Sequence, residues 1–205
     1  MDPHSLKNYP SALVVYDTEY TAWKGSQERE WGNADEHREI VQIGAVKVLP
    51  RDGFVEVGSF SQLVKPRKNN KLSQYFKELT GIEQEDVDRQ GIDILAALQL
   101  FFDFVGHDLA LSNGGDHTVF EENVSLVGAE MPLCHGALAD VRPILERITG
   151  LNCRELNTVS LPAVFNFEIE ALKFHQALDD SRIICRAIRS VAPTIPWADM
   201  TQGNL

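Results

Sequence analysis

Apolar residues run almost without interruption through Ala12-Leu13-Val14-Val15-Tyr16, and the run ends in Asp17-Thr18-Glu19. Such a run predicts a strand buried on both faces. Glu39 to Leu49 reads as a second strand and Pro50-Arg51-Asp52-Gly53 as a turn. Phe54 to Val64 then reads as a third, antiparallel strand. Leu72 to Leu79 predicts a short helix that stops at Thr80-Gly81. Over Ile92 to Val105 the apolar residues Ile94, Leu95, Leu98, Phe101, Phe102 and Val105 recur at helical spacing. Leu109-Ala110-Leu111 predicts another short buried strand. Helices are expected over 116–128, 139–149 and 179–191, a polar connection over 21–38, and irregular chain over 150–174 and 192–205. Three strands, helices, a strand and more helices predict an α/β fold with a mixed central sheet flanked by helices.

Composition narrows the class. At 205 residues the chain has room for one domain with a sizeable core. No stretch approaches the roughly 20 apolar residues that span a bilayer, so no membrane partner is expected. Met1 to Ser5 lacks the basic and apolar regions of a secretory signal. Cys134, Cys153 and Cys185 are scattered and odd in number, which predicts free thiols and a cytoplasmic location. The absence of a CxxC pair argues against a zinc–thiolate site. A formal net charge of −11 disfavours tight, non-specific binding to long duplexes, but allows a short strand held with the help of cations.

The acids carry the chemistry. Alternate strand residues share a face, so Leu13, Val15, Asp17 and Glu19 point the same way. Two adjacent carboxylates repel unless a cation sits between them, and Mg²⁺ or Mn²⁺ suits such oxygen donors. A strand ending in a solvated acidic turn explains the pair equally. On the helix over 179–191, Asp180 lies on the stripe of Ile184 and Ala187 and so faces the core. Asp179 is about 100° away, beside Arg182 and Arg186, and is explained as a cap or dipole partner. Asp116 leads the helix that follows Ser112-Asn113-Gly114-Gly115, where an acid is either a helix cap or a site residue. His175 must lie on the loop ahead of the last helix if it is to share a site with Asp180. There it serves either as a general base or as a structural histidine.

Asp17-x-Glu19, Asp116 and His175-x-x-x-x-Asp180 occur in the order of the three motifs of the DEDDh (DnaQ-like) 3′–5′ exonucleases, which have a ribonuclease H-like fold. The chain resembles that family over about residues 11 to 190. Glu39 to Val46, Leu79-Thr80-Gly81-Ile82, Asp140 to Leu145 and Asn157 to Leu161 are also similar to its segments. The sister subclass places tyrosine four residues before the last aspartate. Gln176 stands there, so His175 supports the histidine type. Within the family the chain looks most like the RNA-trimming branch, with histone-mRNA and small-RNA exonucleases.

The resemblance implies one exonuclease domain over 1–205, with a core of about 11–191 and short tails. It implies two divalent cations, Mg²⁺ or Mn²⁺. Asp17 would bridge them, Glu19 and Asp180 would complete the first, and Asp116 would support the second. His175 would be the general base. The partner would be the 3′ end of single-stranded RNA or DNA, and a homodimer is one arrangement the family allows. Tyr20 follows Glu19 where many members carry Thr or Phe; with Trp23 and Asn113 it is a candidate substrate contact. Trp23 and Trp31 can stack on a base or pack on the domain, and Lys65, Arg67, Lys68 and Lys71 form a basic cluster or a solvated loop. A DNA-directed proofreading-type exonuclease, strand-transfer chemistry and an inactive binding scaffold are the alternative functions.

Overall fold

A computed structural model describes residues 9–201 of the chain. Its centre is a five-stranded mixed sheet of order β3-β2-β1-β4-β5. β1 (Leu13–Tyr20) pairs antiparallel with β2 (Ile40–Leu49), and β2 pairs antiparallel with β3 (Val55–Leu63). On its other side β1 runs parallel to β4 (Leu109–Ser112), which runs parallel to β5 (Ala137–Asp140). The C-terminal ends of β1 and β4 therefore open on the same edge of the sheet.

Helices cover both faces. They are α1 (Gln74–Thr80), α2 (Gln84–Gln90), α3 (Ile94–Val105), α4 (Asp116–Leu126), α5 (Arg142–Thr149), α6 (Leu161–Phe165), α7 (Ala177–Val191) and α8 (Trp197–Thr201). Alternation along β1 divides the core. Leu13 and Val15 pack with Ile144 and Leu145 of α5 and Ile184 and Ile188 of α7. Val14 and Tyr16 pack on the opposite face with Leu98 and Phe101 of α3 and Phe120 of α4. A smaller cluster joins Val41 to Phe76 of α1 and Val87 of α2.

Local chemistry sets the helix ends. The Ser73 hydroxyl accepts from Phe76 N–H at 3.0 Å, and Asp93 accepts from Leu95 N–H at 2.9 Å. Such caps contribute about 1 kcal/mol each. α1 stops at Gly81, whose φ of 71° is the left-handed conformation that ends the helix.

Four elements were not legible as such. β5 falls at the head of the helix expected over 139–149: Ala-Leu-Ala-Asp favours helix, but its backbone completes the sheet beside β4. α2 buries only Val87, so it has no apolar stripe to read. α6 and α8 lie in segments expected to be irregular. They are anchored by buried Leu161, and by Trp197 and Met200, so the core reaches beyond residue 191. The remainder of the expected tails, 1–8 and 202–205, lies outside the described residues. Among those described, no helix is long and apolar enough to cross a membrane.

Candidate active site

β1 delivers Asp17 and Glu19 to the open edge of the sheet, on the face that α7 covers. Gly44, opposite Asp17 on β2, lets α7 come close. A Cβ at Gly44 would lie 2.1 Å from Leu178 N and 2.2 Å from the Ala177 carbonyl carbon. Only glycine allows this contact between strand and helix, and the contact sets the first turn of α7, with Asp180, against the end of β1. The register of β1 on β2 shifts between Glu19 and Tyr20, a bulge of the kind that re-aims side chains at functional edges.

Asp180 is buried, as its helical face required. One carboxylate oxygen accepts from the His175 backbone N–H at 2.8 Å. His175 holds a φ of 61° on the loop ahead of α7, a strained conformation that this hydrogen bond stabilises. The other oxygen, Oδ1, is buried and lacks a hydrogen-bond partner among the described residues. One ligand atom each from Glu19, His175 and Asp180 lies within 4.8 Å of the others. Asp179 turns away, accepting from Lys173 N–H at 3.1 Å and pairing with Arg182 at 3.2 Å. Its role is structural.

Asp116 arrives from the other face. It begins α4, and its Oδ1 accepts from the buried Thr18 hydroxyl at 2.5 Å. The loop before it is built from its surroundings. Asp140, at the end of β5, accepts from Gly114 N–H and from Arg142 N–H, both at 2.8 Å. The Arg142 guanidinium donates to the Asn113 carbonyl. Asn113 is buried and gives its amide to the Leu156 carbonyl at 2.8 Å, which fastens the loop. Thr18, Asp140 and Arg142 escaped the sequence reading. Thr18 sits inside the Asp17–Glu19 motif, and Asp140-Val141-Arg142 carries no signal in the sequence beyond its family likeness.

The electrostatics follow from crowding acids. Asp17 is held well above the ordinary carboxylate range by burial and by Asp116, Asp180 and Glu19, with Arg142 opposing. Glu19 is raised by burial and by Asp180 and Asp116. Asp116 is raised by burial, against the Thr18 hydrogen bond and Arg142. Burial pushes Asp180 up to about 7. Four carboxylates thus disfavour their own ionisation, and one buried oxygen has no donor. This donor set fits a hard divalent cation, which would remove the repulsion and bind the orphaned oxygen. Burial also lowers the His175 pKa below its ordinary 6.5. Tyr20, which follows Glu19, and Trp23 are both half-buried. The three carboxylates Asp116, Asp17 and Glu19 all act on the Tyr20 phenol, whereas Trp23 is fastened by a turn with Ser26.

An exonuclease family, RNase_T, matches residues 14–188, which span every element from β1 into α7. The chain belongs to this family, the DEDDh-type 3′–5′ exonucleases with a ribonuclease H-like fold. The chain is 32% identical over 103 residues to the 3′-5′ exonuclease Snipper of Drosophila melanogaster, covering 50% of this chain and 34% of that protein. It is 32% identical over 96 residues to ERI1 exoribonuclease 2 of Mus musculus, covering 47% of this chain and 13% of that protein. The matched region is thus about a third of the first relative's length and about an eighth of the second's. Among solved structures, the nuclease domain of 3′hExo, a DEDDh family member bound to rAMP, superposes with a TM-score of 0.76 at 20% identity. That match covers 91% of this chain and 94% of that one.

Proposed function

We propose that the chain is a metal-dependent 3′–5′ exonuclease that hydrolyses terminal phosphodiester bonds of single-stranded nucleic acid and releases nucleoside monophosphates. The observation that carries the proposal is the convergence of Glu19, His175 and Asp180 within 4.8 Å, with Asp180 Oδ1 buried and unpartnered. Two divalent cations, Mg²⁺ or Mn²⁺, held by Asp17, Glu19, Asp116 and Asp180, would relieve charge on the phosphoryl and leaving 3′ oxygens and lower the pKa of the attacking water. His175 takes the water proton. Its depressed pKa keeps the imidazole neutral and able to accept near pH 7. The new bond forms between the water oxygen and phosphorus. The bond from phosphorus to the 3′ oxygen breaks, and that oxygen takes a proton from solvent water to become a hydroxyl.

RNA and short oligonucleotides are the favoured substrates. The support is the likeness to an exoribonuclease and to a structure bound to rAMP. The test is a 5′-labelled RNA and its DNA counterpart, each incubated with Mg²⁺ and with Mn²⁺. A ladder shortening one nucleotide at a time from the 3′ end, faster on RNA, is the expected result. Internal cuts, or no cleavage with either metal, would sink the proposal. Three free thiols fit a reducing, cytoplasmic setting. A homodimer, which the family allows, is checked by sedimentation.

A further inference from the structure

The connection between β1 and β2 is a built structure. Thr21 is its pivot: its N–H reaches the Glu39 carbonyl at 2.8 Å, its hydroxyl reaches the His37 carbonyl at 2.6 Å, and its own carbonyl accepts the Trp31 indole N–H at 2.8 Å. Buried Glu39 accepts the backbone N–H groups of Arg67, Lys68 and Asn69. Asn69 in turn accepts from His37 N–H at 3.0 Å and donates to the Asp35 carbonyl at 2.7 Å. Glu30 and Trp31 are both left-handed, with φ of 52° and 53°. Two successive side-chain-bearing residues in that region are strained, and such strain gathers at ligand clamps.

This scaffold sets a cation and two rings beside the acids. The Tyr20 and Trp31 rings meet edge to face at 5.3 Å, and the Arg38 guanidinium lies 5.5 Å from both ring centroids. Trp31, Arg38, His37, Glu30, Glu122 and Ser125 line a cavity of about 800 Å³. That volume is within the range of pockets that take small molecules, roughly 300–1,000 Å³. Tyr20 links the cavity to the site, since it directly follows Glu19 on β1 while its ring meets that of Trp31 and the Arg38 guanidinium. Arg38 is paired with Glu122, whose side chain is 46% exposed. The pair is bidentate but reaches water at the Glu122 end, and a phosphate offers the guanidinium the same two-oxygen geometry.

Building on the exonuclease reading, we propose that this cavity is a second nucleotide subsite, which holds a nucleotide on the 5′ side of the scissile bond with its base against Trp31 and its phosphate toward Arg38. Stacking on a fixed indole grips any base and so suits a strand that advances by one nucleotide per turnover. The surrounding Glu30 and Glu122 favour a base over a second phosphate within the cavity.

The test compares a pentanucleotide with the p-nitrophenyl ester of thymidine 5′-monophosphate, which carries neither a nucleobase nor a further phosphate on the 5′ side of the scissile bond. Trp31→Ala is expected to lower the ratio of their kcat/KM values by roughly 5- to 150-fold, the worth of one stacked base. Arg38→Ala lowers it too, with a flatter salt dependence. An unchanged ratio overturns the subsite. Trp31→Phe keeps the ring but loses the indole N–H, and is expected to recover most of the ratio. If it falls as far as Trp31→Ala, the effect belongs to the anchor on Thr21, and the stacking is refuted. Anisotropy of a labelled pentanucleotide, read in Asp180→Asn without turnover, gives the same comparison. Tryptophan-dependent binding by a protein that hydrolyses neither substrate would keep the subsite and reject the exonuclease reading.

Discussion

Replacing Asp180 by asparagine separates what this residue does for the site from what it costs the fold. The carboxylate is buried, and its pKa sits at about 7 against an ordinary 3.8. Well below pH 3.8 it is protonated in the folded and unfolded chains alike and costs little. As pH rises toward 7 the unfolded chain ionises first, so stability is lost through that window. Above pH 7 the folded chain carries an ionised Asp180 at a cost of about 4 kcal/mol. Asparagine removes the charge, keeps an acceptor for the His175 N–H, and offers an amide to the Glu19 side. In EDTA at pH 8, Asp180→Asn is therefore expected to melt on the order of 10 °C above the parent protein. At pH 4 the gap should nearly close. Mn²⁺ should raise the melting temperature of the parent, by mass action on the folded state, and leave the variant unmoved. Thermal melts at both pH values, with and without Mn²⁺, measure all three effects. A variant less stable than the parent at pH 8, or a gap of equal size at pH 4, would refute the reasoning.

Three further substitutions test the site from other sides. His175→Ala is expected to lower kcat by about 10²- to 10⁴-fold; in the parent, the acid limb of the rate profile should lie below pH 6.5, because burial depresses the imidazole, and a limb above pH 7 would contradict that assignment. Gly44→Ala drives a methyl group into the first turn of α7, at a cost of about 1–3 kcal/mol. It should also cut exonuclease activity by moving Asp180 away from Glu19, as urea unfolding and initial rates would report. Asp179→Ala loses the Arg182 pair and the Lys173 N–H, which is worth about 1 kcal/mol or less, and should leave turnover nearly unchanged. A loss equal to that of Asp180→Ala would reverse the assignment of helix faces.

The acids were legible because they break a local pattern. Asp180 stands on an apolar stripe where only an uncharged side chain belongs, and the structure buries it there. Asp17 and Glu19 interrupt a strand that is otherwise apolar on both faces. The sheet was legible for the same reason in its buried strands, β1, β2 and β4. β5 was not, because its four residues are all half-exposed and are specified by pairing with β4 rather than by their own sequence.

What the sequence hid is the machinery that makes four repelling carboxylates share an edge. Thr18 reaches Asp116 across 98 residues, on the strand face opposite its neighbours Asp17 and Glu19, so no spacing rule connects them. Arg142 reaches the Asn113 carbonyl only because β5 lies beside β4 and ends in Asp140, which fastens both Gly114 and Arg142. Gly44 reads as an ordinary strand glycine until a helix is laid across it. Each of these residues lowers the cost of assembling the acids: Thr18 and Arg142 by offsetting Asp116's charge, Gly44 by admitting the helix that carries Asp180. Residues whose burial or charge is unfavourable on their own show in a sequence. Residues that compensate them are chemically unremarked and take their meaning from contact. A substitution that spares the acids but removes Thr18 or Gly44 should therefore damage the site without touching any motif.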